Sequence, residues 1–361
     1  MIEYENLGKL NQPFFQEYQY EFEKVLKSGW YVLGGQVSSF EAEFSTFLGG
    51  NYFVGLASGL DALDIALRIF KFKKGSEVIV PSNTYIATIL AVIENGLVPI
   101  LVEPNISTYN IDPDKVEQAV TSKTVAIIPV HLYGKCCQMD RILEISKRHD
   151  LKIIEDAAQA HGAKFKGVCA GNFGELAAFS FYPTKNLGAL GDAGGLMCSN
   201  AELAESTKML RNYGSNIKYY NEVVGLNSRL DEVQAAFLRV KLRSLDVIIN
   251  HKRELANLYL SNIDGDFILP TIDEDYFDVY HIFNIRHPKR DRLRDFLLKN
   301  DIKTEIHYPV PPHKQKALKG EILGDFKISD EIHSTTLSLP ISYFHQKSDI
   351  SKVIEVLNRF E

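Results

Sequence analysis

Short apolar runs alternate with amphipathic segments between about Asn51 and Asn200. The apolar runs have the length of buried strands, and the segments between them repeat their apolar residues at helical spacing. Strands are predicted at Tyr52–Ala57, Glu77–Pro81, Val98–Val102, Thr124–Pro129, Leu151–Glu155, Leu176–Phe181 and Gly194–Cys198. Helices are predicted at Leu60–Phe70, Tyr85–Glu94, Pro113–Val120 and Asp140–Arg148. This alternation is typical of an α/β fold in which helices cover both faces of a largely parallel sheet.

The pattern changes in the last third of the chain. A helical stretch runs from Asp231 to about Leu260, and we expect it to break only near Asn250. Beyond it, a strand, a helix, a strand and a final helix are predicted at Tyr280–Arg286, Asp291–Asn300, Lys303–His307 and Ser348–Arg359. We therefore expect a large domain over residues 1–245, which includes the N-terminal segment, and a smaller α+β domain over residues 246–361.

Composition and charge exclude several classes of function. The 361 residues include 40 basic and 46 acidic side chains, and this net charge of -6 argues against a nucleic-acid partner. The polar N-terminus and the lack of an apolar run near about 18 residues predict neither export nor membrane insertion. The four cysteines show no CxxC spacing, so a reducing cytoplasm is expected. A core of this size needs no metal, and no metal site is predicted.

One lysine lies in a glycine-rich turn directly after an apolar strand. This residue, Lys185, follows the predicted strand that contains Ser180, and Asp156 ends another strand at the same edge of the sheet. Ligands bind at this edge in open α/β sheets. Burial or nearby cations lower the pKa of such a lysine, so that its neutral amine can attack a carbonyl. The three residues together suggest an aldehyde cofactor with a pyridine ring and a phosphate, although an isolated lysine beside a glycine turn is more often a solvated surface charge.

Polar residues near Asp156 extend this candidate site. The Asp156 carboxylate could keep a pyridine nitrogen protonated, or it could simply cap the turn that follows. Gln159 and His161 continue the same turn and could hydrogen-bond a ring hydroxyl or a carboxylate, although a lone histidine is often structural.

A predicted helix N-terminus offers a place for the phosphate. Ser58 and Gly59 precede a helix, whose free N–H groups and positive dipole end favour an anion. The same residues would also be expected if they only capped the helix in a capping box and bound no ligand. Ser180 could add a hydroxyl, and Tyr85 could stack on a ring face or belong to the core.

A second group of polar and cationic residues lies further along the chain, at Lys218–Tyr220 and Asn227–Arg229. It suits a diphosphate, because arginine presents a planar fork and lysine a point charge. A solvated surface explains these residues equally well.

Seven segments in this order resemble the DegT/DnrJ-type sugar aminotransferases, pyridoxal-phosphate enzymes that install amino groups on nucleotide-linked keto sugars. The resemblance covers nearly the whole chain. The matching segments are Gly29–Gly34, Ala57–Leu63, Pro81–Ile86, Ile154–His161, Ser180–Lys185, Gly225–Asp231 and Ile306–Pro309. The resemblance implies the fold of a fold-type I aminotransferase, with a mostly parallel mixed sheet in the large domain.

The resemblance also implies roles for individual residues. Lys185 would bond covalently to pyridoxal 5′-phosphate, Asp156 would pair with its pyridine nitrogen, and Gln159 would contact its ring hydroxyl. The remaining cofactor residues would be Ser58, Gly59, Leu60, Tyr85 and Ser180, with Asn227 reaching the phosphate from the neighbouring subunit of a homodimer with shared sites. His161 is counted with the catalytic residues, and substrate binding is assigned to Tyr182, Lys218, Tyr220, Arg229, His307 and Tyr308.

Two features narrow the implied reaction. Some relatives have histidine where Lys185 stands and remove a hydroxyl instead, so the lysine favours transamination. The pair Leu60-Asp61 resembles the pattern of enzymes that act at sugar C3. The implied reaction is transfer of the amino group of L-glutamate to a dTDP-3-oxo-6-deoxyhexose, which gives a 3-amino-3,6-dideoxyhexose of the Fuc3N or Qui3N type for O-antigen or other glycoside synthesis. A C4 aminotransferase, a dehydrating relative and a non-catalytic cofactor-binding regulator remain alternatives.

Overall fold

The protein is built around a seven-stranded mixed sheet. The computed structural model describes residues 1–50, 52–322 and 324–361. Asn51, where the alternating pattern was predicted to begin, lies outside the described residues. The strands are β1 (Tyr52–Leu56), β2 (Glu77–Pro81), β3 (Val98–Val102), β4 (Thr124–Ile127), β5 (Lys152–Asp156), β6 (Lys164–Phe165), β7 (Val168–Cys169), β8 (Leu176–Ser180), β9 (Gly194–Cys198), β10 (Tyr276–Phe277), β11 (Phe283–Arg286) and β12 (Thr336–Leu339).

The described helices pack around this sheet and form most of the C-terminal part of the structure. They are α1 (Leu7–Asn11), α2 (Phe15–Ser28), α3 (Gly35–Phe47), α4 (Gly59–Phe70), α5 (Ile86–Glu94), α6 (Pro113–Ala119), α7 (Met139–His149), α8 (Ala201–Leu210), α9 (Glu232–Leu242), α10 (Leu245–Asn262), α11 (Arg290–Lys299), α12 (Lys327–Thr335) and α13 (Lys347–Leu357). None of the described helices is long and apolar enough to cross a membrane.

The strand order β1-β9-β8-β5-β4-β2-β3 confirms the predicted, largely parallel sheet. Only β9 runs against its neighbours β1 and β8, whereas β8, β5, β4, β2 and β3 pair in parallel. Alternate residues of β2 enter different core clusters, with Ile79 on one face and Val78 and Val80 on the other. Because side chains alternate across a strand, both faces are covered, as the apolar runs predicted.

The long helical stretch after residue 230 breaks earlier than predicted. It divides into α9 and α10 at Arg243 and Ser244, so the predicted break near Asn250 is wrong. Ser244 leaves the helical conformation, and this turn allows both Leu242 and Leu245 to be buried in the same core cluster. Asn250 lies exposed inside α10, where its weak helix propensity costs little compared with the packing of the apolar face.

The predicted strand at Lys303–His307 is also wrong. In this segment a single bridge joins Glu305 to Ser338, and the strand that pairs with β11 is β12. Tyr308 and then Pro309 follow the segment, and Pro309 has no N–H group to continue a ladder.

Besides the core clusters on the two faces of the sheet, a third hydrophobic cluster lies among the C-terminal elements. It joins residues of α10, α11, α13, β11 and β12, and the N-terminal residue Ile2 is part of it. The domain boundary predicted at residues 245 and 246 falls at the start of α10. In this helix, Leu245 packs in the same cluster as Ile79 of the central sheet, whereas Leu255 packs in the C-terminal cluster. The division into two domains stays a prediction.

Candidate active site

A cavity of about 480 Å³ opens beyond the ends of β5 and β8. Its volume lies in the usual range for a small-molecule site. Most of the predicted site residues line it, namely Ser58, Gly59, Leu60, Tyr85, Asp156, Gln159, Ser180, Tyr182, Lys185, His307 and Tyr308. The parallel strands bring most of these residues together because their C-terminal ends share one edge of the sheet, whereas His307 and Tyr308 come from the segment between α11 and α12.

Lys185 lies on the turn that follows β8. Its backbone N–H donates to the carbonyl of Tyr182 at 2.8 Å, and its Nζ lies 3.5 Å from Nε2 of His281. Burial lowers the pKa of Lys185 to about 8, while the carboxylate of Asp156 opposes the decrease. A substantial fraction of this amine is therefore neutral and nucleophilic at mildly alkaline pH.

Lys185 is expected to be acylated with a midpoint near pH 8 in protein freed of pyridoxal phosphate, since burial lowers its pKa to about 8. An ordinary exposed lysine titrates at about 10.4. Competitive labelling with limiting acetic anhydride, followed by peptide mass spectrometry, compares Lys185 with the 86% exposed Lys327 in one sample. Equal midpoints for the two lysines would contradict the expectation.

Asp156 ends β5 with its carboxylate facing the same cavity. Its Oδ2 accepts from the Thr88 hydroxyl at 2.8 Å, and its Oδ1 accepts from the N–H of Ala158 at 3.2 Å. Burial raises the pKa of Asp156, although these hydrogen bonds and the Lys185 charge oppose the increase. Both donors are neutral groups, so the carboxylate gains most from a cationic ligand group, and a pyridinium nitrogen fits this requirement.

The residue before Asp156 secures the end of β5. Glu155 is fully buried and accepts from the N–H groups of Gly171, Phe173 and Gly174 at 2.7 to 2.8 Å. Nε2 of His131 lies 2.9 Å from the same carboxylate. Since Nδ1 of His131 accepts from a backbone N–H, its ring proton is on Nε2 and is donated to Glu155.

Replacing Glu155 with alanine is expected to lower the free energy of unfolding by about 3–5 kcal/mol, because three backbone N–H groups and the Nε2–H of His131 lose their acceptor and each such loss costs about 1–3 kcal/mol. Urea unfolding measures the change. Glu175→Ala is a matched control, because this carboxylate also accepts a backbone N–H and pairs with a lysine but is 32% exposed. A loss for Glu155→Ala no larger than for the control would refute the structural role.

The N-terminus of α4 forms part of the cavity wall. The Ser58 hydroxyl accepts from the N–H of Asp61 at 3.1 Å, so the expected cap is present. The first N–H groups of a helix have no intrahelical partner, and Gly59 and Leu60 line the cavity at this point. A Cβ on Gly59 would lie 2.7 Å from the Cβ of Ser180, so only glycine permits this close approach. These residues fit a phosphate.

Aromatic side chains and the amide of Gln159 form another part of the cavity wall. Gln159 Nε2 donates to the hydroxyl of Tyr308 at 3.0 Å, and the rings of Tyr85 and Tyr308 lie 5.2 Å apart. Nδ1 of His307 lies 2.8 Å from the hydroxyl of Ser338. Burial, with a smaller effect of the Lys185 charge, lowers the pKa of His307 to about 4. His307 is therefore a neutral hydrogen-bonding group at physiological pH.

Five predicted site residues do not line the cavity. The His161 ring is fully buried and packs 5.5 Å from the rings of Phe179 and Phe181. Burial lowers its pKa to about 3, with a smaller contribution from Lys185, so the ring is neutral. The others are the exposed Lys218, Tyr220 and Asn227 and the partly buried Arg229. Their roles, like that of His161, stay predictions.

The cavity also contains residues that sequence reasoning missed. Ala158, Asp192 and His281 line it, and Thr88 holds Asp156 from α5. Thr88 carried a signal, because it is a polar residue within the apolar run of α5 that precedes Glu94. His281 carried none, since it comes from a distant part of the chain.

Comparisons with known proteins agree with this architecture. The sequence profile of the DegT/DnrJ/EryC1/StrS aminotransferase family matches residues 15–358. The dTDP-3-amino-3,6-dideoxy-alpha-D-galactopyranose transaminase of Aneurinibacillus thermoaerophilus is 50% identical over 361 residues, which cover 100% of this chain and 99% of that protein. The dTDP-3-amino-3,4,6-trideoxy-alpha-D-glucose transaminase of Streptomyces venezuelae is 45% identical over 341 residues, covering 93% of this chain and 90% of that protein.

A solved structure extends the similarity to three dimensions. The crystal structure of S. venezuelae DesV in complex with a ketimine intermediate matches with a TM-score of 0.97 and 43% identity. The match covers 99% of this chain and 97% of that one.

Proposed function

Because this chain belongs to the DegT/DnrJ/EryC1/StrS aminotransferase family, we propose that it transfers the amino group of L-glutamate to C3 of a dTDP-3-oxo-6-deoxyhexose. The products are 2-oxoglutarate and a dTDP-3-amino-3,6-dideoxyhexose. The observation that carries the proposal is the placement of Lys185, Asp156 and the N-terminus of α4 around one cavity. These groups provide an amine, a buried carboxylate and an anion site, which are the three contacts that pyridoxal 5′-phosphate requires.

The chain's own residues would hold the cofactor at three points. Lys185 would bind it covalently through Nζ, Asp156 would hold the pyridine nitrogen, and Ser58, Gly59 and Ser180 would bind the phosphate. When bound, pyridoxal 5′-phosphate supplies an electron-accepting ring that stabilises negative charge on the carbon next to the transferred nitrogen. Tyr85 and Ala158 line the same cavity and would contact the bound ring.

Lys185 also moves the protons of the reaction. Once the amine of L-glutamate has displaced Nζ from its covalent bond, the freed Nζ would take the proton from Cα of L-glutamate in the first half-reaction and would deliver a proton to C3 of the sugar in the second. The lowered pKa of Lys185, about 8, suits this alternation, since the two protonation states are similarly populated at mildly alkaline pH. The neutral His307 and the hydroxyl of Tyr308 line the cavity and would orient the sugar by hydrogen bonds.

The sugar class follows from the relatives. The 50% identical Aneurinibacillus protein is named for a 3-amino-3,6-dideoxygalactose product, so the galacto configuration at C4 is the first to test. We place the reaction in the cytoplasm, because Cys136, Cys137, Cys169 and Cys198 are all free thiols, which suit a reducing compartment.

Product analysis tests the proposal directly. The purified protein is incubated with L-glutamate and either epimeric dTDP-3-oxo-6-deoxyhexose or the 4-oxo isomer, and NMR locates the new amine. An amine at C3 is the expected result. An amine at C4, loss of a hydroxyl, or cofactor binding without turnover would each replace the proposal with one of the alternatives.

The proposal extends to a homodimer in which Asn227 completes the partner's phosphate site. Asn227 is exposed and does not line the cavity of its own chain. Mixing Lys185→Ala and Asn227→Ala subunits is expected to restore about a quarter of wild-type activity, because half of the dimers are mixed and each of those has one intact site. Activity assays at limiting pyridoxal phosphate measure the recovery, and none is expected if Asn227 serves its own subunit.

A further inference from the structure

Two side chains near Lys185, one partly buried and one buried, have no role in the mechanism above. They are His281, which lines the cavity just before β11, and Lys252, which lies within α10. Nε2 of His281 lies 3.5 Å from Nζ of Lys185, at the outer limit of a hydrogen bond. Lys252 is only 5% exposed.

His281 is suited to accept a hydrogen bond. Its Nδ1 is buried and has no hydrogen-bond partner within the described part of the chain. Burial and nearby positive charges lower the pKa of His281 well below its usual value, so the ring is neutral at physiological pH. The titratable groups that face the His281 ring and disfavour a positive charge on it are Lys185, Lys252, His307 and His161. A neutral ring keeps a lone pair on one nitrogen, and Nε2 is the nitrogen nearest the lysine.

Lys252 joins His281 to the turn that carries Lys185. Its Nζ donates to the backbone carbonyl of His281 at 3.1 Å and to Oδ1 of Asn186 at 2.8 Å. Asn186 directly follows Lys185, and its Nδ2 donates to the carbonyl of Val279 at 3.0 Å. The segment before β11 and the lysine turn are therefore tied together at two points, although they lie far apart in the sequence.

We propose that His281 is a further residue of the catalytic machinery, which holds the amine of Lys185 in place by accepting its hydrogen bond, and that Lys252 is the positioning residue that fixes His281. The inference rests on the proposed function. No proton is transferred to the ring, so only the hydrogen bond forms and breaks. The lysine side chain has four rotatable bonds, and a fixed acceptor reduces the number of directions in which its amine can point.

The test compares two substitutions of His281. His281→Leu removes the acceptor, whereas His281→Gln retains one in its side-chain oxygen. Without the acceptor the ammonium form of Lys185 loses a hydrogen bond, so the acetylation midpoint of Lys185 in cofactor-free protein is expected to fall by up to about one pH unit. Turnover of the cofactor-loaded protein is expected to fall about tenfold in His281→Leu, and His281→Gln should recover most of both properties.

Further variants separate this role from a general effect on folding. Lys252→Met should slow turnover as His281→Leu does, but it should move the Lys185 midpoint less, because loss of the Lys252 charge opposes loss of the hydrogen bond to His281. Lys241→Met is the matched control, because this buried lysine also has a pKa lowered by burial to about 8 but donates to Asn11 and Gly188. It should leave the midpoint unchanged. If the leucine variant does not fold, as judged by circular dichroism, His281→Met replaces it.

Each outcome decides one question. An unchanged midpoint and unchanged turnover in His281→Leu, or a glutamine variant that behaves like the leucine variant, overturns the inference while the wild type still binds cofactor and turns over. Failure of the wild type itself to bind pyridoxal phosphate at Lys185 overturns the proposed function instead.

Discussion

Replacing Lys185 with alanine is expected to abolish covalent capture of pyridoxal 5′-phosphate and to slow turnover by about 10²–10⁴-fold, the usual contribution of a positioned acid–base group. The variant loses both the covalent contact and the group that moves the proton at Cα of glutamate. Initial rates with glutamate and the keto sugar measure the second effect, and cofactor retained after gel filtration measures the first. Lys241→Met, a second buried lysine outside the cavity, should keep both properties.

The stability of the Lys185 variant gives an independent check. Burial lowers the folded-state pKa of Lys185 to about 8, below the value of about 10.4 in an unfolded chain. The folded protein therefore binds fewer protons than the unfolded chain between these two pH values. Below pH 8 the buried ammonium lowers the free energy of unfolding by its full amount, and this loss of stability disappears as the pH rises to about 10.4. Lys185→Met should equal or exceed the wild type in urea unfolding at pH 7, and its advantage should shrink by pH 10. A variant that is less stable than the wild type at pH 7 would indicate a structural role for this amine.

Asp156→Asn is expected to slow turnover by about 10²–10³-fold, the range seen when one preorganised electrostatic group is removed. Asparagine has nearly the same shape and keeps an oxygen for Thr88 or Ala158, but it has no negative charge to hold a pyridinium nitrogen. Because burial raises the pKa of Asp156 above its unfolded value, its charge destabilises the fold above the unfolded pKa. The neutral variant should therefore unfold at the same urea concentration as the wild type or a higher one.

The control for Asp156 removes a neighbouring hydrogen bond without removing the charge. Thr88→Val loses the donor to Oδ2 of Asp156 and should slow turnover by no more than about tenfold, since one neutral hydrogen bond is worth about 1 kcal/mol. Steady-state rates of both variants at saturating cofactor provide the comparison. An asparagine variant as active as Thr88→Val would show that the negative charge is not required.

The sheet and most of the candidate site could be predicted because both depend on local patterns. Each strand of the central sheet begins and ends within two residues of its predicted bounds. Lys185 and Asp156 follow such strands, so their meeting at one edge is a consequence of the parallel topology. Ser58 was visible as a helix cap, whether or not a ligand binds there.

The rest depends on contacts between distant segments. Lys252 and His281 reach Lys185 only because α10 and the segment before β11 pack against the lysine turn. The segment Lys303–His307 lies beside β12, but only Glu305 bridges to it, through Ser338. Local propensity does not show how many residues of a segment pair with a neighbouring strand.

Borohydride reduction of the cofactor-loaded protein, followed by peptide mapping, tests the central claim most directly. The account predicts one reduced adduct, located on Nζ of Lys185. An adduct on another lysine, such as the buried Lys252, or no adduct at saturating pyridoxal phosphate, would contradict it.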